Sequence, residues 1–226
     1  MHRTCINVLL LLCLLGMVQC RRPAAGQEKR VYGTELSFAD NPSGNWQVGY
    51  STDSTLDPSQ FHLCAFSDTS HAIALWHPGA GSAAYYPYTA QNRSTQTQVD
   101  PTNSWALRPG EIAMEGNNNG QYSMLRFIVP SKTRVHMKVV FEGVHFRLSS
   151  TDVHILKNST RLFDDIIDGY GGDSTYHSKS GRHPVSVYEA TLDLDKGDII
   201  TFALGYGENK TFYNDTTGLL ITLKED

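Results

Sequence analysis

The sequence predicts an all-β fold, a β-sandwich or barrel, on three observations. Apolar residues recur with a period of two: in "RVHMKVVF", Val135, Met137, Val139 and Phe141 share one face while His136 and Lys138 take the other, the pattern of a strand with one wet face. Such runs are short and punctuated by Gly, Pro, Asn and Asp, the spacing of about eight to ten strands in a sandwich or barrel. Beyond residue 20, no stretch carries a convincing apolar stripe of helical period.

In chain order, residues 1–20 ("MHRTCINVLLLLCLLGMVQC") open with a basic start and an apolar run from Val8 to Leu15. This is the layout of a secretory signal peptide, and the run is shorter than the roughly 20 residues that cross a bilayer. Cleavage after Cys20 is expected, with a lipidated bacterial Cys20 as the rival reading. Residues 21–32 read as a flexible lead with dibasic pairs at Arg21-Arg22 and Lys29-Arg30, the second a candidate processing point. Residues 33–226 read as one sandwich domain. Within it, "FHLCAF" around Cys64 reads as strand, and "SMLRFIV" sends Leu125, Phe127 and Val129 inward and Arg126 outward. "TRLFDDIID" forms one helical turn at most. "ATLDLDKGDIITFAL" reads as a hairpin, with Leu192, Leu194, Ile200, Phe202 and Leu204 facing in on either side of a turn at Asp195–Asp198. "GLLITL" then places Leu219, Ile221 and Leu223 on one face.

The full chain carries a formal net charge of −4, and −5 once residues 1–20, with Arg3, are removed. A mildly acidic chain without a basic stripe excludes nucleic acid as the expected partner. No later run is apolar enough for a membrane span. Three of the four cysteines fall in the first twenty residues. Cys64 remains, expected as a buried small hydrophobe rather than a reactive thiol. Sequons at Asn92, Asn158, Asn209 and Asn214 agree with a secreted, extracellular glycoprotein made through a eukaryotic route.

Several phrases match as a set: "NPSGNWQVGY" (41–50), "WALRPGEIAMEG" (105–116), "YSMLRFIVPSKTRVHMKVVFEG" (122–143), "TDVHILKN" (151–158) and "LDLDKGDIITFALGYGENKTFYNDTTGLLITL" at the end. The chain thereby resembles a domain found in many uncharacterised secreted and surface proteins, chiefly bacterial. The resemblance covers nearly all of the chain beyond residue 20. It implies a jelly-roll β-sandwich similar to carbohydrate-binding modules, and no enzyme, since such domains share no catalytic residues. "AMEG" stands where a His-Pro-Gly phrase is usual, so no role of that His carries over. Jelly-roll sugar-binding modules often hold a structural calcium where the chain's ends meet. Here its ligands would be Asp40, Asn41 and Asp215, with Thr216. The alternative, preferred here, makes Asp215 and Thr216 turn residues that bond their own backbone.

Catalytic patterns are scarce. His-x-His and His-Glu-x-x-His pairs, a Gly-x-Ser-x-Gly elbow and a Walker loop are all missing. His136, His145 and His154 are expected on the wet faces of strands. "DLDKGD" lacks the acidic twelfth residue of a calcium loop, where Leu204 stands. Asp164, Asp165, Asp168 and Asp173 could serve a glycosidase but read as a solvated Gly-rich loop. The aromatic residues Trp76, Tyr85, Tyr86 and Tyr88 carry the binding expectation. They lie in the long Gly- and Pro-broken segment 76–105, and flat rings of this kind stack on the apolar faces of sugars. Trp46 and Trp105 are expected to cap the core. The expected function is a secreted, non-catalytic module for carbohydrate or glycoconjugate. The alternative is a structural component of an extracellular or mineralised matrix, and an enzyme ranks third.

Overall fold

The computed structural model describes residues 36–79, 85–100, 102, 104–147 and 150–226, with the backbone alone at 31–32. The signal-peptide reading of 1–20, and the lead up to residue 30, lie outside the described residues. The strands in order are β1 (Val31–Tyr32), β2 (Trp46–Ser51), β3 (Phe61–Leu63), β4 (Phe66–Asp68), β5 (Ile73–His77), β6 (Tyr88–Asn92), β7 (Gln98–Val99), β8 (Ala106–Leu107) and β9 (Ile112–Glu115). They continue with β10 (Ser123–Ile128), β11 (Thr133–Gly143), β12 (Ser150–Lys157), β13 (Thr160–Tyr170), β14 (Ser180–His183), β15 (Val185–Leu194), β16 (Ile199–Leu204) and β17 (Thr217–Glu225). Among the described residues, a single 3-10 turn spans Pro58–Gln60.

Two antiparallel sheets form the sandwich. The larger runs β15-β11-β17-β9-β6-β5-β4, with β1 paired to β17, and the smaller runs β14-β13-β12-β16-β10-β2-β3. From β10 to β12, and again from β15 to β17, successive strands alternate between the sheets, which is jelly-roll connectivity. The expected alternation holds on the inner faces. Leu125 and Phe127 from one sheet, and Val135, Met137, Val139 and Phe141 from the other, are buried in one core with Phe202 and Leu219. Each such side chain stabilises the fold by about 1.5–3 kcal/mol. Trp46 lies among them, 5.0 Å from the Phe127 ring and 6.4 Å from that of Phe202. Cys64 is buried as expected, and burial pushes its thiol up to about 12, so it stays a thiol at neutral pH.

Three local expectations are corrected. Residues 190–204 do not form a hairpin. The turn exists, with Asp198 N–H donating to Asp195 O at 3.0 Å and Gly197 at φ 88°, but β15 pairs with β11 and β16 with β10 and β12. The turn is a corner from one sheet to the other. Residues 160–168 are not a helical turn but most of β13, paired with β12. A bulge opposite Ile155 and Leu156 skips Leu162, so Leu162 and Phe163 both reach the core. Asp164, Asp165 and Asp168 therefore sit on a strand rather than in a loop, and each has a basic side chain as partner: His154, His183 and Arg182 respectively. His154 and His145 are largely buried, against the expectation of wet faces. Part of the segment 76–105, expected to be irregular, is also strand: β6 and β7.

Both outer faces are partly covered. On the larger sheet, β7 and β8 form a separate hairpin over Ala90, Ala113 and Val144, which make a small second core with Leu107. On the smaller sheet, residues before β3 cover Met124, Leu156 and Ala203 through Leu56.

Candidate functional site

The outer face of the larger sheet, beside the β7–β8 hairpin, holds a cleft of about 220 Å³. Alternation dictates its floor. On β6, Tyr88 and Ala90 point outward while Thr89 and Gln91 point in. On β9, Ala113 and Glu115 point outward while Ile112 and Met114 join the core. Thr216, just before β17, lies between them. The Tyr88 hydroxyl donates to Glu115 Oε2 at 2.6 Å, and the Thr216 hydroxyl donates to the same oxygen at 2.8 Å. Burial raises the Glu115 carboxyl to about 7, against the pull of these two hydrogen bonds. The Tyr88 phenol is raised as well, by burial and then by Glu115.

The walls come from two loops. Tyr86, held by Asn117 Nδ2 donating to its carbonyl at 3.0 Å, packs 4.4 Å from Phe212 and 5.6 Å from Tyr88. Phe212 stacks in turn on Tyr213 at 4.5 Å, and Tyr213 is 68% exposed. Opposite, Trp105 bridges to His145. The Thr102 amide and the Ser104 hydroxyl donate to Asp100 Oδ2 at 3.0 and 2.9 Å. Burial opposes ionisation of Asp100, but these bonds outweigh it and hold the carboxyl below its ordinary range. A second, apolar hollow of about 90 Å³ shares Tyr88, Trp105 and Thr216 with the cleft and runs under the hairpin to Leu107.

The predicted site residues separate. Tyr86 and Tyr88 line the cleft, Tyr88 with its hydroxyl committed to the floor. Tyr85 does not line it: its ring stacks on His77 at 4.4 Å and 6°, with the hydroxyl 3.4 Å from Asp68. Trp76 is corrected from ligand platform to core. It is 5% exposed on the inner face, its indole N–H donates to Ser37 O at 2.7 Å, and Phe38 covers its ring.

The calcium set is not brought together. Asn41 spends its side chain on Val48 N, Val48 O and Cys64 O, at 2.9, 2.7 and 2.9 Å, at the β2–β3 edge. Asp40 is exposed beside it. Asp215 instead accepts from Ser150 N at 3.0 Å at the start of β12. β2 and β12 stand three strand spacings apart, roughly 14 Å, too far for one ion. Among the described residues, no three His, Cys, Asp or Glu side chains converge as metal ligands. Asp215 is fully buried with Oδ2 unpartnered, and burial raises it to about 7.

The sequons also separate. Asn92 is fully buried, and its Nδ2 donates to Gln96 O and Leu107 O, both at 2.8 Å; the folded chain has no room for a glycan there, which corrects that expectation. Asn158 and Asn209 are exposed at turns, and Asn214 lines the cleft at φ 69°. Sequence reasoning missed Phe212, Tyr213, Glu115, Asp100 and the cleft role of Trp105. The signal available was "TFYN", two aromatic residues inside a turn-rich stretch.

No protein-family model matches the chain, and no curated protein matches it. Among solved structures, the chain is similar to a CBM51 carbohydrate-binding module from Clostridium perfringens GH95, in complex with methyl-galactose. The TM-score is 0.37 at 9% identity, over 62% of this chain and 89% of that one. It is also similar to a CBM4 module (TM-score 0.31, 11% identity, 57% of this chain and 78% of that one). A beta-glucosidase from Kluyveromyces marxianus gives TM-score 0.31 and 12% identity over 78% of this chain and 16% of that one. Likenesses this distant carry no argument about the cleft.

Proposed function

We propose that the protein is a non-catalytic, secreted module that binds a carbohydrate or glycoconjugate in the cleft. One observation carries this reading: a partly exposed aromatic wall, Tyr86–Phe212–Tyr213, faces a polar floor of Glu115 and Thr216 in one open cleft. Rings of this kind cover the apolar faces of a sugar, and the floor offers acceptors and donors for hydroxyls. Each ring contributes about 1 kcal/mol beyond plain burial, by analogy with aromatic pairs, so a single sugar binds weakly and repeated ligands gain through avidity.

Asp100 and Glu115 line the same cleft with shifts in opposite directions, the pattern glycosidases use. One oxygen of each carboxylate is already engaged, however. Glu115 Oε2 accepts from Tyr88 and Thr216, and Asp100 Oδ2 accepts from Thr102 and Ser104. That supports binding over turnover.

A glycan array followed by titration of the best ligand tests the reading. Tyr86→Ala and Phe212→Ala should each weaken binding by about tenfold or less, with little change in thermal unfolding. A blank array, with the protein recovered from insoluble matrix, would favour the matrix alternative. Hydrolysis abolished by Glu115→Gln would overturn the non-catalytic half.

A further inference from the structure

The outer face of the smaller sheet carries a second, unrelated feature. Arg126 on β10 and Thr201 on β16 are direct cross-strand partners and point away from the main core. Arg126 is only 7% exposed. The Phe61 ring covers one side of its guanidinium, 3.7 Å from the ring centroid. Nη2 donates to Pro58 O at 2.8 Å. Among the described residues, no carboxylate pairs with it. Its Nε and the Thr201 hydroxyl oxygen are both buried without any hydrogen-bond partner. Other basic side chains on this sheet differ: His154 lies between Asp152 and Asp164, and Lys157 meets Asp198.

A buried charge is costly unless it is paired and hydrogen-bonded. The ring of Phe61 satisfies one face by cation–π attraction but gives nothing to the N–H donors in the guanidinium plane. Burial alone pulls Arg126 down to about 10; no neighbouring group offsets it. Against these unpaired groups opens a hollow of about 280 Å³, rimmed by Asn158, Ser159 and Ile199. That is room for a small oxyanion together with bound water, whose share of liquid volume is about 30 Å³ each. No acid lines the hollow among the described residues, and Asp198, which neighbours the rim residue Ile199, is held by Asn158 Nδ2 at 2.9 Å and Lys157 Nζ at 3.0 Å.

We propose that this hollow is an anion-binding site in which Arg126 and Thr201 receive one oxyanion head group, a carboxylate, sulfate or phosphate. The planar guanidinium fork matches such groups geometrically. The site lies on the sheet opposite the sugar-binding cleft and stands whether or not that cleft binds a sugar.

Calorimetric titration with sodium sulfate, sodium phosphate and sodium glucuronate tests it, each against sodium chloride at matched ionic strength. At least one should bind saturably, and the one that does identifies the head group. Arg126→Met should weaken that binding by about tenfold or more, the loss of a charge-assisted hydrogen bond. Thr201→Val, which removes only the hydroxyl, should weaken it severalfold, and serves if Arg126→Met does not fold. Absence of saturable binding by all three anions would overturn the proposal, as would binding that Thr201→Val and Arg126→Met leave unchanged.

Discussion

Exposure separates aromatic residues that the sequence presents alike. Trp76 and Tyr213 are both large rings beside turn residues, yet one is sealed under Phe38 and the other stands in solvent. Trp76→Ala should therefore cost about 3–5 kcal/mol in denaturant unfolding, from lost transfer energy and an unfilled cavity. Tyr213→Ala should stay within about 0.5 kcal/mol while weakening ligand binding. An equal loss of stability for both would mean that Tyr213 is held by packing and is no part of an open wall. Asn41 gives the same lesson for a polar residue. Read as a hard oxygen ligand, it instead acts as a side-chain staple for the β2–β3 edge, a role that is invisible without knowing what lies opposite.

Strand faces were legible at the level of the element, because alternation is a local property of the backbone. The inward sets of β10, β11, β16 and β17 all stand where the period of two puts them. Strand partners were not legible: a hairpin and a sheet-crossing corner show the same alternation around the same turn residues, and only the β15 and β16 pairings tell them apart. β13 was missed because Leu162 and Phe163 break the alternation, and the cause is a bulge set by its partner β12. Two of the aromatic residues that line the cleft were legible, Tyr86 and Tyr88, since aromatic residues near Gly and Pro stand out. Phe212 and Tyr213 join them from a loop more than a hundred residues away. The corner has a testable acid dependence. Asp198 is held down to about 2 by Asn158, the Asp195 amide and Lys157. Its folded value lies below the unfolded one, so its contribution is present above about pH 4 and is lost as pH falls toward 2. Asp198→Ala should lower the melting temperature at pH 6, and the gap from the wild type should shrink by pH 2.

The molecule as a whole carries buried acids of the opposite kind. Glu115 and Asp215 are each raised to about 7, and Glu111 is raised by burial and by Glu142 despite Arg108. Below about pH 4 these groups are protonated in both folded and unfolded chains. Between there and about pH 8 the unfolded chain releases protons that the folded chain keeps, so stability falls as pH rises through this window and levels off above it. Acids held low, such as Asp198 and Asp152, act only at more acidic pH. The melting temperature should therefore peak near pH 4–5. Asp215→Asn should flatten the decline toward pH 7, and an unchanged slope in that variant would remove Asp215 from this account.

The strand order has a consequence for how the chain comes into being. β16 occupies the middle of one sheet, between β12 and β10, and β17 the middle of the other, between β11 and β9. Both follow all of their neighbours along the chain. During synthesis, then, each sheet exists first as two separate halves whose facing edges have nothing to bond, and such open edges invite pairing with other chains. Long-range closure of this kind is slow, and the vulnerable interval lasts until residues 199–225 have left the ribosome. A chain released before residue 217 would not be a smaller version of this fold. It would present an unpaired seam through the centre of its larger sheet, the state that chaperones hold and proteases clear.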